Sequence, residues 1–222
     1  MTNQSNRTAV ITGAGDGIGR ALAINLNGRG IDLYLCDIDR ERLDATAGML
    51  NSDGVTVSTA VVDCGNREQI ETWADMICAE NDSLDFLFNN AGVGYASPFR
   101  DASLENFEWL MNINYWGVVW STKAFLPLLE ASPAGHLVNI SSIFGMVGIA
   151  TQSAYNSAKF AVRGFTESLQ AEYWDSPLTV TCVHPGGIAT NIALRARTDG
   201  EAADVSDAER DQAFKQVART TP

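Results

Sequence analysis

Short apolar runs rich in Val, Ile and Leu alternate along this chain with longer stretches of helical periodicity. Residues 8–12, 31–36, 55–62, 84–88, 136–140 and 178–183 read as six strands. Between them, 17–29, 40–51, 66–80, 103–130 and 153–175 read as helices. The strands are nearly continuous in apolar residues, the mark of a parallel sheet covered on both faces. With right-handed crossovers, the economical topology is a doubly wound α/β sheet of the Rossmann type. After about residue 194 the chain turns polar; 208–219 is compatible with a further helix, and no seventh strand is expected.

A length of 222 residues suits one domain spanning 1–222. Hydrophobic residues make up 45% and charged residues 19%, which excludes disorder as the general state. The net charge of -12 repels phosphate backbones and anionic bilayers, so neither nucleic acid nor membrane is an expected partner. No apolar stretch approaches the roughly 20 residues of a spanning helix, and the polar start carries no signal-peptide core. Cys36, Cys64, Cys78 and Cys182 are widely spaced, without a metal-binding pattern, which points to a reduced, cytoplasmic setting and no metal.

The chemistry begins between the first strand and the first helix, at Thr12-Gly-Ala-Gly-Asp-Gly-Ile-Gly19. Glycines here permit a tight turn and close approach to a pyrophosphate, which the helix N-terminus attracts. The second strand ends at Asp37, placed to accept ribose hydroxyls and to repel the extra phosphate of NADP. Asp16 rather than a basic residue precedes Gly17, so NAD is expected over NADP. Further on, Tyr155 and Lys159 stand one helical turn apart. A phenol with pKa near 10 needs such a cation to become a base at neutral pH. Ser141-Ser142 closes the fifth strand, at the edge where open α/β sheets bind ligands, and can hydrogen-bond a substrate oxygen.

The set resembles the short-chain dehydrogenase/reductase family, from about Thr8 to Asn191. The motifs run in order: Thr12-Gly-x-x-x-Gly-x-Gly19, Asp63, Asn89-Asn-Ala-Gly92, Asn114, Ser142, Tyr155-x-x-x-Lys159 and Pro185-Gly186. The resemblance implies Tyr155 as general acid/base, Lys159 as holder of the nicotinamide ribose, Ser142 as substrate-orienting hydroxyl and Asn114 as support for a proton-relay water. It implies cofactor contacts from Gly13, Asp16, Gly17, Ile18, Gly19, Asp37, Asp63, Cys64, Asn90, Ala91, Gly92, Pro185, Gly186, Ile188 and Thr190, besides Tyr155 and Lys159. His184 and His136 read as strand residues without a catalytic role.

The expected activity is NAD-dependent interconversion of an alcohol and a ketone or aldehyde. Gly94, Tyr95, Phe144, Met146, Val147, Gln152 and Ile192 to Leu194 are candidate pocket residues; being mostly apolar, they suggest a hydrophobic or medium-sized substrate. Residues 192–222 would form part of the substrate lid, while the family's next helix and seventh strand are expected to be absent. Trp109, Trp116 and Trp120 form an apolar stripe at helical spacing; family members commonly pair this helix and the Tyr155 helix between subunits, so a homodimer or homotetramer is expected. The competing readings are a nucleotide-binding protein without turnover and an interaction module that binds no nucleotide.

Overall fold

Six parallel strands form the central sheet of the computed structural model, which describes residues 7–51, 53–188, 191–200 and 220. The first strand, β1 (Thr8–Thr12), is followed by helix α1 (Gly17–Asn27), β2 (Asp32–Asp37), α2 (Arg40–Ala47), β3 (Val57–Val61) and α3 (Arg67–Glu80). The second half holds β4 (Phe86–Asn89), the short β5 (Tyr95–Ala96), α4 (Leu104–Met111), α5 (Gly117–Ala131), β6 (His136–Ile140), α6 (Ser153–Glu172), β7 (Thr179–Val183) and the short β8 (Arg197–Thr198). The sheet order is β3-β2-β1-β4-β6-β7. The winding reverses beside β1, so the carboxyl ends of β1 and β4 flank a crevice, the ligand position of doubly wound folds.

Burial on both faces explains the unbroken apolar strands. Ala9, Ile11, Leu33, Leu35, Phe88 and Val138 pack on one face with Ala23 and Leu43. Val10, Tyr34, Leu87, Leu137 and Val180 fill the other with Trp73 and Phe125. The Trp73 and Phe125 rings meet edge to face at 5.6 Å, joining α3 to α5. Two asparagines interrupt the pattern, and both are satisfied. Asn89 donates to Asn139 at 2.8 Å and to Thr122 at 2.9 Å, and Asn139 donates to Thr166 at 3.0 Å. This buried chain ties β4 and β6 to α5 and α6; an unmet amide in such a place costs about 1–3 kcal/mol.

The six expected strands form, with ends shifted by one or two residues. The expected helix over 103–130 is instead α4, a π-helical turn at Asn112–Trp116, and α5. π turns are commonly found at functional sites, and this one carries Asn114. The β5–β8 ribbon was not expected. In it, Tyr95 pairs with Arg197 and Ala96 with Thr198, in parallel. Trp174 lies one residue past the cap of α6 and is 83% exposed, rather than helical. The helix expected over 208–219 lies outside the described residues. All four cysteines are free, and among the described residues no helix is long and apolar enough to cross a membrane.

Candidate active site

The glycine loop is shaped by backbone that tolerates no side chain. Gly13 has φ +66°, and a Cβ there would stand 2.8 Å from the Ala91 Cα. A Cβ on Gly19 would collide with the Gly13 carbonyl, so α1 lies directly against the turn. Asp16 caps α1, its Oδ1 accepting from Gly17 N at 2.7 Å; Gly17 and Ile18 open the helix. The other oxygen of Asp16 accepts from Asn191 Nδ2 at 2.6 Å and pairs with Arg195 Nη1 at 3.1 Å. Burial works to raise the Asp16 carboxyl, but these bonds outweigh it and hold the group below its ordinary value.

Thr12 fastens the loop to β4. Its Oγ1 accepts from the backbone N–H of Asn90 and of Ala91, each at 3.0 Å, while Asn90 Nδ2 donates to the Thr12 and Gly13 carbonyls. Asp37 accepts from Gly15 N at 2.9 Å, which holds the carboxylate at the end of β2 against the glycine loop. Asp63 closes its own turn by accepting from Gly65 N at 2.8 Å, and Cys64 is buried beside it. The left-handed turn at Gly13 and the bare packing at Gly19, at the start of α1, fit a dinucleotide.

Ser142, Tyr155 and Lys159 meet where β6 ends and α6 begins. The Ser142 hydroxyl accepts from Phe144 N at 3.1 Å and lies close enough to the Tyr155 phenol to favour its ionised form. The Tyr155 ring is fixed edge-on by Phe144 at 6.0 Å. Lys159 Nζ is buried, lies 5.7 Å from the centre of the Tyr155 ring and donates to the Ile140 carbonyl at 2.9 Å. Among the described residues this ammonium has no second acceptor, which leaves two N–H groups for a ligand oxygen. Burial depresses its pKa from 10.5 to about 8, with the Cys182 thiol pulling slightly the other way.

Burial also moves the Tyr155 phenol, upward, against the lowering effect of Ser142. Lowering by Lys159 was the expectation. Here the ammonium is drawn to Ile140 and desolvation of the phenol prevails. Asn114 is wholly buried, and its amide is engaged with the backbone of Val93 in both directions, at 2.8 and 2.9 Å. Gly92 separates it from Lys159, since a Cβ at Gly92 would stand 3.4 Å from Asn114 Oδ1 and 3.6 Å from Lys159 Nζ.

The segment after β7 closes the arrangement. Pro185 O accepts from Ile143 N at 3.0 Å, and Ile188 N donates to Gly186 O at 2.8 Å. Thr190 lies outside the described residues. His184, expected to be only a strand-end residue, has Nδ1 3.0 Å from Ser142 O and steadies that backbone. His136 bridges to Thr181 at 2.8 Å and is structural. Tyr95, expected to line the pocket, is 2% exposed, with its hydroxyl spent on Asp199 at 2.6 Å.

Several positioning residues escape sequence reasoning. Asn156 accepts from Ile149 N at 3.0 Å and donates to the carbonyls of Phe144 and Val147 at 2.6 and 2.8 Å, binding the loop after Ser142 to the helix of Tyr155. Its position directly after Tyr155 was its only signal. Thr151 adopts φ 67°, an uncommon left-handed conformation for a β-branched residue, and its carbonyl accepts from Ser97 N at 2.9 Å.

The family described as short chain dehydrogenase matches residues 7–201. The Mycobacterium tuberculosis oxidoreductase SadH is 45% identical over 204 residues, which are 90% of this chain and 74% of that protein. A short chain dehydrogenase/reductase from Burkholderia phymatum, solved in complex with NAD, is 29% identical with TM-score 0.84, over 99% of this chain and 81% of that one. The closed form of serine dehydrogenase complexed with NADP+ is 26% identical with TM-score 0.85, over 97% of this chain and 84% of that one.

Proposed function

The chain belongs to the short-chain dehydrogenase family, and on that premise we propose that it is an NAD-dependent oxidoreductase interconverting an alcohol and a ketone or aldehyde. The reading is carried by one observation: the Tyr155 phenol, close enough to the Ser142 hydroxyl to be lowered by it, stands with the buried Lys159 ammonium at the carboxyl edge of the sheet. A nicotinamide cofactor, when bound, supplies the hydride acceptor and donor. The residues supply the rest. Gly13, Asp16, Gly17, Ile18, Gly19, Asp37, Asp63, Cys64, Asn90, Ala91, Gly92, Pro185, Gly186, Ile188 and Thr190 bind the dinucleotide. Ser142 Oγ orients the substrate oxygen, and Tyr155 Oη takes its proton on oxidation or returns it on reduction. Lys159 holds the ribose and stabilises the phenolate by its charge. Asn114 fixes the Val93 backbone beside Lys159 and supports the path by which the proton reaches water.

The substrate is apolar beyond its reacting group. No charged residue occurs between Ser141 and Ala158. Ile143, Met146, Val147 and Ile149 leave 45%, 52%, 48% and 45% of their surface exposed, forming an uncharged ledge beside Ser142. Residues 192–222 would close over that ledge. The enzyme is cytoplasmic in this reading. It assembles as a homodimer or homotetramer through the π turn, α5 and α6, where Trp116 and Phe160 remain 43% and 42% exposed.

NAD rather than NADP follows from the Asp37 carboxylate, whose charge opposes a ribose phosphate. Turnover of secondary alkanols from butanol to dodecanol is therefore expected with NAD, rising with chain length. Asp37→Ala is expected to lower the NAD:NADP ratio of kcat/KM by about tenfold or more, the worth of one charge–charge discrimination of about 1.4 kcal/mol. Steady-state assays with both cofactors check this. No turnover of any alkanol, or an unchanged ratio in the variant, contradicts the corresponding part of the reading.

A further inference from the structure

Ten residues, 191–200, are tied to the body of the protein at both ends. At one end Asn191 and Arg195 grip Asp16 of the glycine loop. At the other, Arg197 N donates to Gly94 O at 3.1 Å, β8 pairs with β5, and side chains converge on Asp199. Its carboxylate accepts from the Tyr95 hydroxyl at 2.6 Å, from Ser103 N at 3.0 Å and from Asn106 Nδ2 at 3.2 Å. Arg197 lies 3.7 Å above the Trp109 ring and donates to Asn106 Oδ1 at 2.8 Å, so it braces the same corner.

The chemistry of this corner requires an anion. Every group aimed at Asp199 is a donor; Ser103 is the N-cap of α4 and Asn106 lies in its first turn, where the helix dipole favours negative charge. Those donors, Tyr95 foremost, hold the Asp199 carboxyl well below its ordinary range, so it stays ionised at any working pH. Burial and the Asp199 charge together push the Tyr95 phenol up, keeping it a donor. Tyr95 packs in turn with Leu110, Ala154 and Ala158, the small apolar cluster against which Tyr155 rests.

Between the two ties lie Ile192, Ala193 and Leu194, half-buried and apolar. We propose that Asp199 is a specificity-determining positioning residue: by pinning β8 to Tyr95 and the first turn of α4, it fixes the 192–194 wall against which the apolar part of the alcohol rests. The inference rests on the dehydrogenase reading above. It adds to that reading a residue that touches neither cofactor nor reacting atoms.

The discriminating variants are Asp199→Asn, which keeps the shape but turns an amide N–H toward donors, and Asp199→Ala. With dodecanol and NAD, KM is expected to rise about tenfold in Asp199→Ala and less in Asp199→Asn, a uniform-binding loss that leaves kcat within about twofold. Selectivity for dodecanol over butanol falls with it, while NADH affinity, read by tryptophan fluorescence, is retained. Backbone amides of 191–200 are expected to exchange with deuterium about tenfold faster, while those of α6 do not change, as for a local opening. Tyr95→Phe should reproduce the exchange effect. Unchanged exchange, unchanged selectivity, or a fall of kcat and NADH affinity in step with KM overturns the proposal. If the wild type oxidises no alkanol, the dehydrogenase reading has failed. The fastening by Asp199 is then decided by exchange alone, faster exchange upholding it and unchanged exchange overturning it.

Discussion

Tyr155→Phe lowers kcat for alkanol oxidation by about a thousandfold, the middle of the range for loss of a general acid or base. The variant keeps the ring, which Phe144 holds edge-on, and removes only the hydroxyl beside Ser142. Stability should therefore change by no more than about 1 kcal/mol, the net worth of one hydrogen bond. NADH affinity should stay within a few-fold of wild type, because the glycine loop and Asp37 are untouched. Stopped-flow single turnovers separate these quantities. A variant that retains wild-type single-turnover rates removes Tyr155 from the chemistry. One that loses NADH binding in proportion makes the residue a binding group instead.

Lys159→Met should lose at least about a hundredfold in activity and yet melt at a higher temperature than wild type at pH 7. The stability half follows from linkage. Burial lowers the Lys159 pKa from 10.5 to about 8, so the unfolded chain holds that proton more tightly than the folded one. The charged lysine thus weighs against folding fully below pH 8. Its cost, about 3 kcal/mol for that displacement, fades as pH rises toward 10.5. Methionine removes the cost but leaves the Ile140 carbonyl without its donor, a loss of about 1–2 kcal/mol. The balance is a gain of about 1–2 kcal/mol at pH 7, or a midpoint about 3–5 °C higher. By pH 10.5 only the loss remains, and the variant is the less stable of the two. Thermal melts from pH 6 to pH 10.5 test the sign; a variant less stable at pH 7 than wild type contradicts it.

The sheet was legible because buried parallel strands such as Val10–Ile11 and Leu33–Leu35 must be apolar on both faces. The glycine loop and the Tyr155/Lys159 pair were legible because local spacing alone places them. Long-range partners were not. Asn112 to Trp116 is as compatible with an α-helix as its neighbours; the π turn there accompanies Asn114 meeting Val93, 21 residues away in sequence. β5 and β8 have two residues each, too few to show a period of two, and the Tyr95–Asp199 bond spans 104 residues. Asn89 and Asn139 look like defects in apolar strands until each supplies the other's partner. Asp16 reads simply as a non-basic loop residue, yet it caps α1 and holds Asn191 and Arg195 together. The sequence thus carries the reacting groups openly, while the contacts that aim them depend on tertiary packing.

Direct transfer of hydrogen from the carbinol carbon is the central claim, and isotopic labelling tests it most directly. Dodecanol bearing deuterium on its secondary carbinol carbon is incubated with the protein and NAD, and the NADH formed is analysed by mass spectrometry and proton NMR. The account predicts one deuterium per NADH, on a single face of the nicotinamide, and no exchange with solvent. NADH without deuterium, or no NADH from any labelled alkanol in the series, would contradict it.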